Sequence, residues 1–406
     1  MNILFVHQSF PGQFINAVLA LAAQPGNRVV FLTQEGSKLD LPQVQKVTFK
    51  QARYAAESTH PYLRNAENAV LQGQAAYRAG LALKQQGFVP DVIYGHAGFG
   101  ATMYMKDLYP HVPLVGYFEW FYHAHGTDMG FDPAEPTTMD DECRLRTKNM
   151  VLLQELASCD AGVTPTYWQH SQFPLEYRTK LMVLHDGVDT RVNQPVEGAK
   201  LVLPEIGLDL SEAQEIVTYV GRGMEPYRGF PQFMEAVSLL LKERPQCHVV
   251  VVGSDEIAYG HAHASGKSYK TLMLESYSYD QSRLHFTGPL VYGQYRQVLQ
   301  ASSVHVYLTY PFVLSWSMLE AMACGCTLVG SATPPVQEVV RHGENGMLVD
   351  FFNAHQLAKQ ISELLDQPEQ RKKLGMQARE TIKQQYDSER LLGQQLQLLT
   401  RMAQKR

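Results

Sequence analysis

Glu320 is a single carboxylate on a predicted helix whose other inward positions are Met318, Leu319, Met322 and Ala323. Burying an unpaired charge is costly, so such an acid needs a partner, and a polar ligand is one candidate. The other reading is an exposed acid on the far face of the helix. Residues 311–325, PFVLSWSMLEAMACG, read as a loop, that helix and a tight turn, followed by a buried strand from Thr327. A second set is Arg222 and Arg228, which flank Gly223-Met224-Glu225-Pro226-Tyr227 between a predicted strand and a helix. Two guanidinium groups offer planar donors to phosphate oxygens, and a helix N-terminus adds free N–H groups. Such a set could neutralise a diphosphate without a metal; a solvated pair in a loop is the alternative. A third is the turn Pro11-Gly12-Gln13-Phe14 after the first strand. Gly12 would let backbone approach a ligand closely, although most glycines in such turns only form the turn.

The elements that must position these residues alternate along the whole chain. Ile3–His7, Arg28–Thr33, Lys46–Lys50, Asp91–His96, Pro113–Glu119, Ala161–Thr166 and Leu181–His185 read as strands. Helical patterns lie between them at Phe14–Ala23, Pro61–Gln86 and Asp140–Ser158. A second series runs through Ile216–Val220, His248–Gly253, Leu284–Thr287, Val304–Leu308, Thr327–Val329 and Met347–Val349. This alternation gives parallel sheets covered on both faces, here an α/β chain with two doubly wound domains. In such sheets ligands bind beyond the carboxyl ends of the strands. The boundaries read as 1–190 for the first domain, 191–210 for a linker broken by Asn193, Pro195, Gly198, Pro204 and Gly207, 211–385 for the second domain, and 386–406 for a last helix.

A chain of 406 residues is too long for one core. Its apolar content of 45% and charged content of 18% are those of an ordinary globular protein. The net charge of −5 gives no reason to expect nucleic-acid binding, and neither half is strongly basic. The five cysteines are odd in number and form no CxxC, so reduced thiols in a cytoplasmic protein are expected. The start Met1–His7 runs straight into a strand, so no signal peptide is expected. No segment approaches the ~20 apolar residues of a membrane span. Peripheral contact with the inner membrane face stays open.

The C-terminal half resembles the family 4 (group 1) glycosyltransferases. The resemblance rests on Glu320-Ala321-Met322-Ala323-Cys324-Gly325, Pro335-Val336-Gln337-Glu338-Val339-Val340 and Asn345-Gly346-Met347-Leu348-Val349, and continues more weakly through the N-terminal half. It implies a GT-B fold, two Rossmann-like domains facing a central cleft, with the last helix crossing back to the first domain. It implies a retaining, metal-independent transfer of a sugar from a nucleotide-diphosphate sugar to a hydroxyl on a glycan, lipid-linked or small-molecule acceptor. That reaction would serve glycan or surface polysaccharide assembly and need no further cofactor. Arg228 stands at the family's lysine position with one residue inserted, so Arg222 and Arg228 inherit the diphosphate role. Glu320 would bind ribose hydroxyls. Ser315, Trp316 and Ser317 lie in the loop that contacts donor phosphate and sugar, and Gly12 in the loop that faces donor and acceptor.

Two positions depart from the family pattern. Counting from Pro113 puts Glu119 where the family commonly has a histidine that bonds a donor hydroxyl. Glu119 is therefore expected to bind that hydroxyl, with His123 and His125 as alternative imidazoles. Phe312 replaces the first glutamate of the family's pair, which implies a donor sugar held in a different way. A GT-B nucleotide-sugar epimerase and a non-catalytic nucleotide-sugar-binding subunit are the rival functions. Among weaker features, Asp140-Asp141-Glu142 suits a helix start better than a metal site. Tyr54, Tyr62, Tyr122 and Trp168 are either stacking platforms for an acceptor sugar or core residues.

Overall fold

Ile3, Leu4, Phe5 and Val6 are all fully buried, the mark of a parallel strand covered on both faces. They belong to β1 (Asn2–His7). The first unit continues with β2 (Arg28–Gln34), β3 (Val44–Phe49), β4 (Val92–His96), β5 (Leu114–Tyr117), β6 (Ala161–Thr164) and β7 (Leu181–Val183). All seven are parallel, in the order β3-β2-β1-β4-β5-β6-β7. Period-two alternation sends Leu4 and Val6 to a core with Ile93, Phe118 and Leu152. Ile3 and Phe5 face the opposite core, with Phe14, Phe31 and Tyr94. The last helix, Ser388–Ala403, supplies Leu391, Leu399 and Met402 to that second core, and Gln395 Nε2 donates to the Tyr94 hydroxyl at 3.0 Å.

This is a computed structural model describing residues 1–405, and the chain divides into two units. One comprises residues 1–187 with the chain from Glu389 onward; the other comprises Val188–Ser388. The second unit begins with a hairpin, β8 (Val202–Leu203) and β9 (Leu208–Asp209), turning at the left-handed Gly207. The glycines and prolines of residues 191–210 hide this order in the sequence, yet Leu201, Leu203 and Leu210 pack into the core with Val250 and Val298. The main sheet has β10 (Glu215–Gly223), β11 (Cys247–Ser254), β12 (Leu284–Gly288), β13 (Val304–Tyr307), β14 (Leu328–Ser331) and β15 (Met347–Val349). Its order is β12-β11-β10-β13-β14-β15, again parallel throughout.

Each sheet therefore reverses its strand order once, between β1 and β4 in the first unit and between β10 and β13 in the second. Loops leave such a point in opposite directions and open a crevice beyond the strand ends, which is where ligands bind. His7 and His96 end β1 and β4; Gly223 and Tyr307 end β10 and β13.

Candidate functional site

At the first switch point, Gly12 opens a 3-10 turn with φ +53°, and a Cβ there would lie 2.7 Å from the His7 ring. Its lack of a side chain therefore makes room for an imidazole. The His7 Nδ1 accepts from the Ser9 N–H at 2.7 Å, which leaves the proton on Nε2. That nitrogen faces Gln13 Oε1 at 2.8 Å, and the Gln13 amide then donates to Glu119 Oε1 at 3.3 Å. The other carboxylate oxygen is 3.8 Å from His96 Nε2, whose Nδ1 lies 2.9 Å from the Ala97 carbonyl. The two imidazoles meet edge to face with centroids 4.7 Å apart.

Burial and the neighbouring His96 push His7 down to about 3, so it stays neutral. Glu119 keeps 35% of its side chain exposed. Burial is the largest influence on its carboxyl and raises it, but His96, Gln13 and His7 together hold it below the usual carboxylate range. Glu155 lies behind this cluster, 3% exposed, accepting from the Gly98 N–H and from the Thr102 hydroxyl at 2.6 Å. Burial pushes it up to about 7 against those hydrogen bonds.

The imidazoles beside Glu119 are thus His7 and His96. His123 lies 2.7 Å from the Gln172 carbonyl, and His125 pairs with Glu142 at the surface. The position count drew attention to the loop after β5. The better signal was that β1 and β4 each end in a histidine, since strand ends on adjacent parallel strands share one edge of the sheet.

At the second switch point, Arg228 is 5% exposed. Its Nη1 lies 2.8 Å from the Tyr307 hydroxyl, 2.7 Å from Thr309 Oγ1 and 3.0 Å from the Val313 carbonyl. Its guanidinium also sits 5.1 Å from the Tyr259 ring centroid. Burial would lower it, but the phenols of Tyr307 and Tyr259 outweigh that and keep it charged. Glu225 fixes Tyr259 in place by accepting from the N–H groups of Ala258, Tyr259 and Gly260, the last at 2.8 Å. Arg222, six residues before Arg228 on the end of β10, is exposed, and its side chain makes no hydrogen bond or ion pair among the described residues.

The Tyr307 hydroxyl also accepts from the Ser315 N–H at 2.9 Å. Ser315 in turn caps the helix Trp316–Ala323, its Oγ accepting from the Ser317 N–H at 3.3 Å and lying 2.9 Å from the Ser317 hydroxyl. Arg228, Ser315 and Ser317 are therefore joined through one tyrosine. Trp316 projects outward, 46% exposed. Glu320 is half-buried on the same helix and does have protein partners: Tyr292 donates to Oε1 at 2.8 Å and Tyr295 to Oε2 at 2.7 Å. Burial and the Glu320 charge raise both phenols, so they remain donors. A carboxylate has about four lone-pair directions, so two stay open to a ligand.

Phe312 belongs to an aromatic cluster. Its ring meets Tyr227 and Tyr259, each with centroids 5.6 Å away, and Tyr227 stacks on Tyr310 at 4.8 Å. Sequence reasoning missed this cluster, along with Tyr292, Tyr295, Tyr307 and Glu225, because aromatic residues are equally at home in a core. The acids at 140–142 start the helix Met139–Ser158, where Asp141 and Thr138 form a reciprocal cap. Among the described residues no three His, Cys, Asp or Glu side chains gather as metal ligands, and no helix is long and apolar enough to cross a membrane.

Two doubly wound units, each with polar side chains gathered at its switch point, define a GT-B type architecture. Residues 25–192 match the profile of the glycosyl transferase family 4 group, and residues 207–381 that of the glycosyl transferases group 1. The chain belongs to the group 1 glycosyltransferases. Sucrose-phosphate synthase from Thermosynechococcus elongatus shares the fold, with a TM-score of 0.73 at 19% identity over 99% of both chains. HepE of Anabaena, solved with UDP and glucose, aligns with a TM-score of 0.67 at 16% identity over 98% of this chain and 99% of its own. A stretch of 77 residues is 35% identical to the N-acetyl-alpha-D-glucosaminyl L-malate synthase of Bacillus anthracis, covering 19% of this chain and 20% of that one. The matches to these curated relatives span from 20% to 58% of the relatives' own length.

Proposed function

We propose that this protein transfers a sugar from a nucleotide-diphosphate sugar to a hydroxyl acceptor with retention of anomeric configuration and without a metal. The observation that carries the reading is Arg228, a buried and permanently charged guanidinium locked at the switch point of the second sheet, with the exposed Arg222 six residues earlier at the end of β10. A fixed positive charge there serves a diphosphate leaving group, because donors already oriented cost no reorganisation when charge develops. The bound UDP and UDP-glucose of the HepE structures support a donor of this class. The helix capped by Ser315 adds its N-terminal dipole and N–H groups, with Trp316 and Ser317 beside them. Glu320, steadied by Tyr292 and Tyr295, accepts from ribose hydroxyls.

In the first unit, Glu119 accepts from a donor-sugar hydroxyl, and the Gly12 turn lies against the same cluster. The bond from the anomeric carbon to the diphosphate oxygen breaks, and a bond to the acceptor oxygen forms on the same face. The acceptor proton passes to the departing phosphate, so no separate base is needed. The acceptor is a glycan, a lipid-linked intermediate or a small molecule in glycan or surface polysaccharide assembly.

Thermal shift with UDP, GDP, ADP, CMP and their sugars tests this. A nucleotide at ~100 times its Kd adds about 2.7 kcal/mol of stability. One diphosphate series should raise the melting temperature, and Arg222→Ala should abolish the shift. No shift with any nucleotide overturns the reading. Binding without turnover on any acceptor favours the sugar-binding subunit that the Phe312 cluster would suit, and turnover of donor alone favours an epimerase.

A further inference from the structure

Asn193 reads in the sequence as a break in the linker. In the structure it is 1% exposed, in the stretch that opens the second unit. Its side-chain amide meets the Tyr292 hydroxyl, which in turn donates to Glu320.

The phenol carries one proton and has two acceptors in reach, Glu320 Oε1 at 2.8 Å and Asn193 Oδ1 at 3.2 Å. The amide decides between them. Its Nδ2 donates to the Asp189 carbonyl at 3.1 Å, an oxygen that only accepts, which fixes the nitrogen on that side. The second hydrogen of Nδ2 goes to the phenol oxygen at 2.9 Å. A phenol that accepts there commits its own proton to the carboxylate, the closer and charged acceptor. Accepting a bond also polarises the hydroxyl and strengthens the bond it donates. Burial, then the Glu320 charge, raise the phenol, and the Asn193 bond works against them.

The main chain at Asn193 is fastened to the helix that carries Glu320. Arg379 Nη1 donates to the Asn193 carbonyl at 2.9 Å and to the Ala323 carbonyl at 2.5 Å, and Nη2 to the Thr190 carbonyl at 3.1 Å. Ala323 ends the helix Trp316–Ala323, where a cation is favoured. The helix Tyr292–Gln300, which supplies both tyrosines, is tied to the same stretch at its other end, where Gln300 Nε2 donates to the Gln194 carbonyl at 2.9 Å. Amide, phenol and carboxylate are therefore held in one bonded frame.

We propose that Asn193 is a positioning residue for nucleotide recognition, acting through Tyr292 to hold Glu320 in the orientation that takes ribose hydroxyls. A carboxylate whose protein donors are fixed has its remaining lone pairs fixed as well, so a ligand meets acceptors already aimed. The inference rests on the transferase reading, because that reading puts ribose at Glu320.

A double-mutant cycle on the whole protein tests it. The probes are UDP, GDP and ADP beside their 2′,3′-dideoxy forms, with Kd read by calorimetry. For the diphosphate that binds, Tyr292→Phe should weaken binding about fivefold and Asn193→Ala about threefold. The double variant should stay near fivefold, because the amide has no phenol left to act on. None of the three variants should change the Kd of the dideoxy form, which offers Glu320 no hydroxyls. If Asn193→Ala fails to fold, Asn193→Leu fills the same space without a donor and takes its place in the cycle. A loss of about fifteenfold in the double variant overturns the proposal, since independent effects multiply. So does an Asn193 variant with the wild-type Kd, or one equally weakened towards the dideoxy form; each leaves the diphosphate site standing. Wild-type protein that binds UDP and its dideoxy form alike takes ribose off Glu320 and overturns the proposal alone. Wild-type protein that binds none of the three diphosphates overturns the transferase reading, and the proposal with it.

Discussion

The two switch points are built from opposite kinds of polar group. In the first unit the crevice holds His7, His96, Glu119 and, behind them, Glu155; their surroundings push His7 and Glu119 down and Glu155 up. In the second it holds the buried guanidinium of Arg228 beside Tyr307 and Tyr259, and the phenols Tyr292 and Tyr295, which donate to Glu320. The difference fits two tasks. A diphosphate needs constant positive charge and fixed donors, whereas a site that binds a sugar hydroxyl next to the reacting bond is tuned by the protonation of its neighbours. It follows that pH dependence should arise in the first unit and charge dependence in the second.

The largest effect that could break this contrast is at Arg228. Arg228→Ala should lower kcat/KM about a thousandfold, ~4 kcal/mol of transition-state stabilisation. Arg228→Lys keeps the charge but offers a point cation in place of a planar fork, so it should recover only part of the loss. Both should leave the shape of the pH–rate profile unchanged. A shifted profile would mean that the second unit also titrates.

Next comes Glu155. Its folded value of about 7 lies above the ordinary 4.5, so the folded state holds a proton that the unfolded chain releases. Its contribution to stability is fully present below pH ~4.5 and is lost as pH rises to about 7, up to about 3 kcal/mol. Glu155→Gln should flatten that part of the stability curve, measured by denaturant unfolding at several pH values. A wild-type curve without the slope would remove Glu155 from the titrating group.

Glu119→Gln should then cost about a hundredfold in kcat, ~2.7 kcal/mol, while nucleotide affinity by thermal shift stays unchanged. Glu119→Ala with full activity would show that the first cluster has no part in the reaction. The smallest effect is Tyr295→Phe, which removes one donor from Glu320 and should weaken nucleotide binding by about 1 kcal/mol, roughly fivefold in Kd. If it tightens binding instead, the tyrosines compete with ribose for the carboxylate rather than orient it.

Strand and helix order was legible because it depends on local pattern. Residues 2–7, 28–34 and 92–96 are apolar runs that only a sheet covered on both faces can bury, and Arg64–Gln85 and Met139–Ser158 follow the helical period. Arg222, Arg228 and Glu320 could be singled out because charged residues beside apolar runs stand out in one dimension. Their partners could not be read that way. His7 and His96 lie 89 positions apart and meet only because β1 and β4 are neighbours in the sheet. Tyr292 and Tyr295 come from a different helix than the carboxylate they bond. Order within an element follows from the spacing of side chains along the chain, which the amino-acid sequence determined by itself. Which imidazole faces which carboxylate, and which phenol holds which arginine, depends on strand order and on which loops meet at a switch point, and only the tertiary structure decided that.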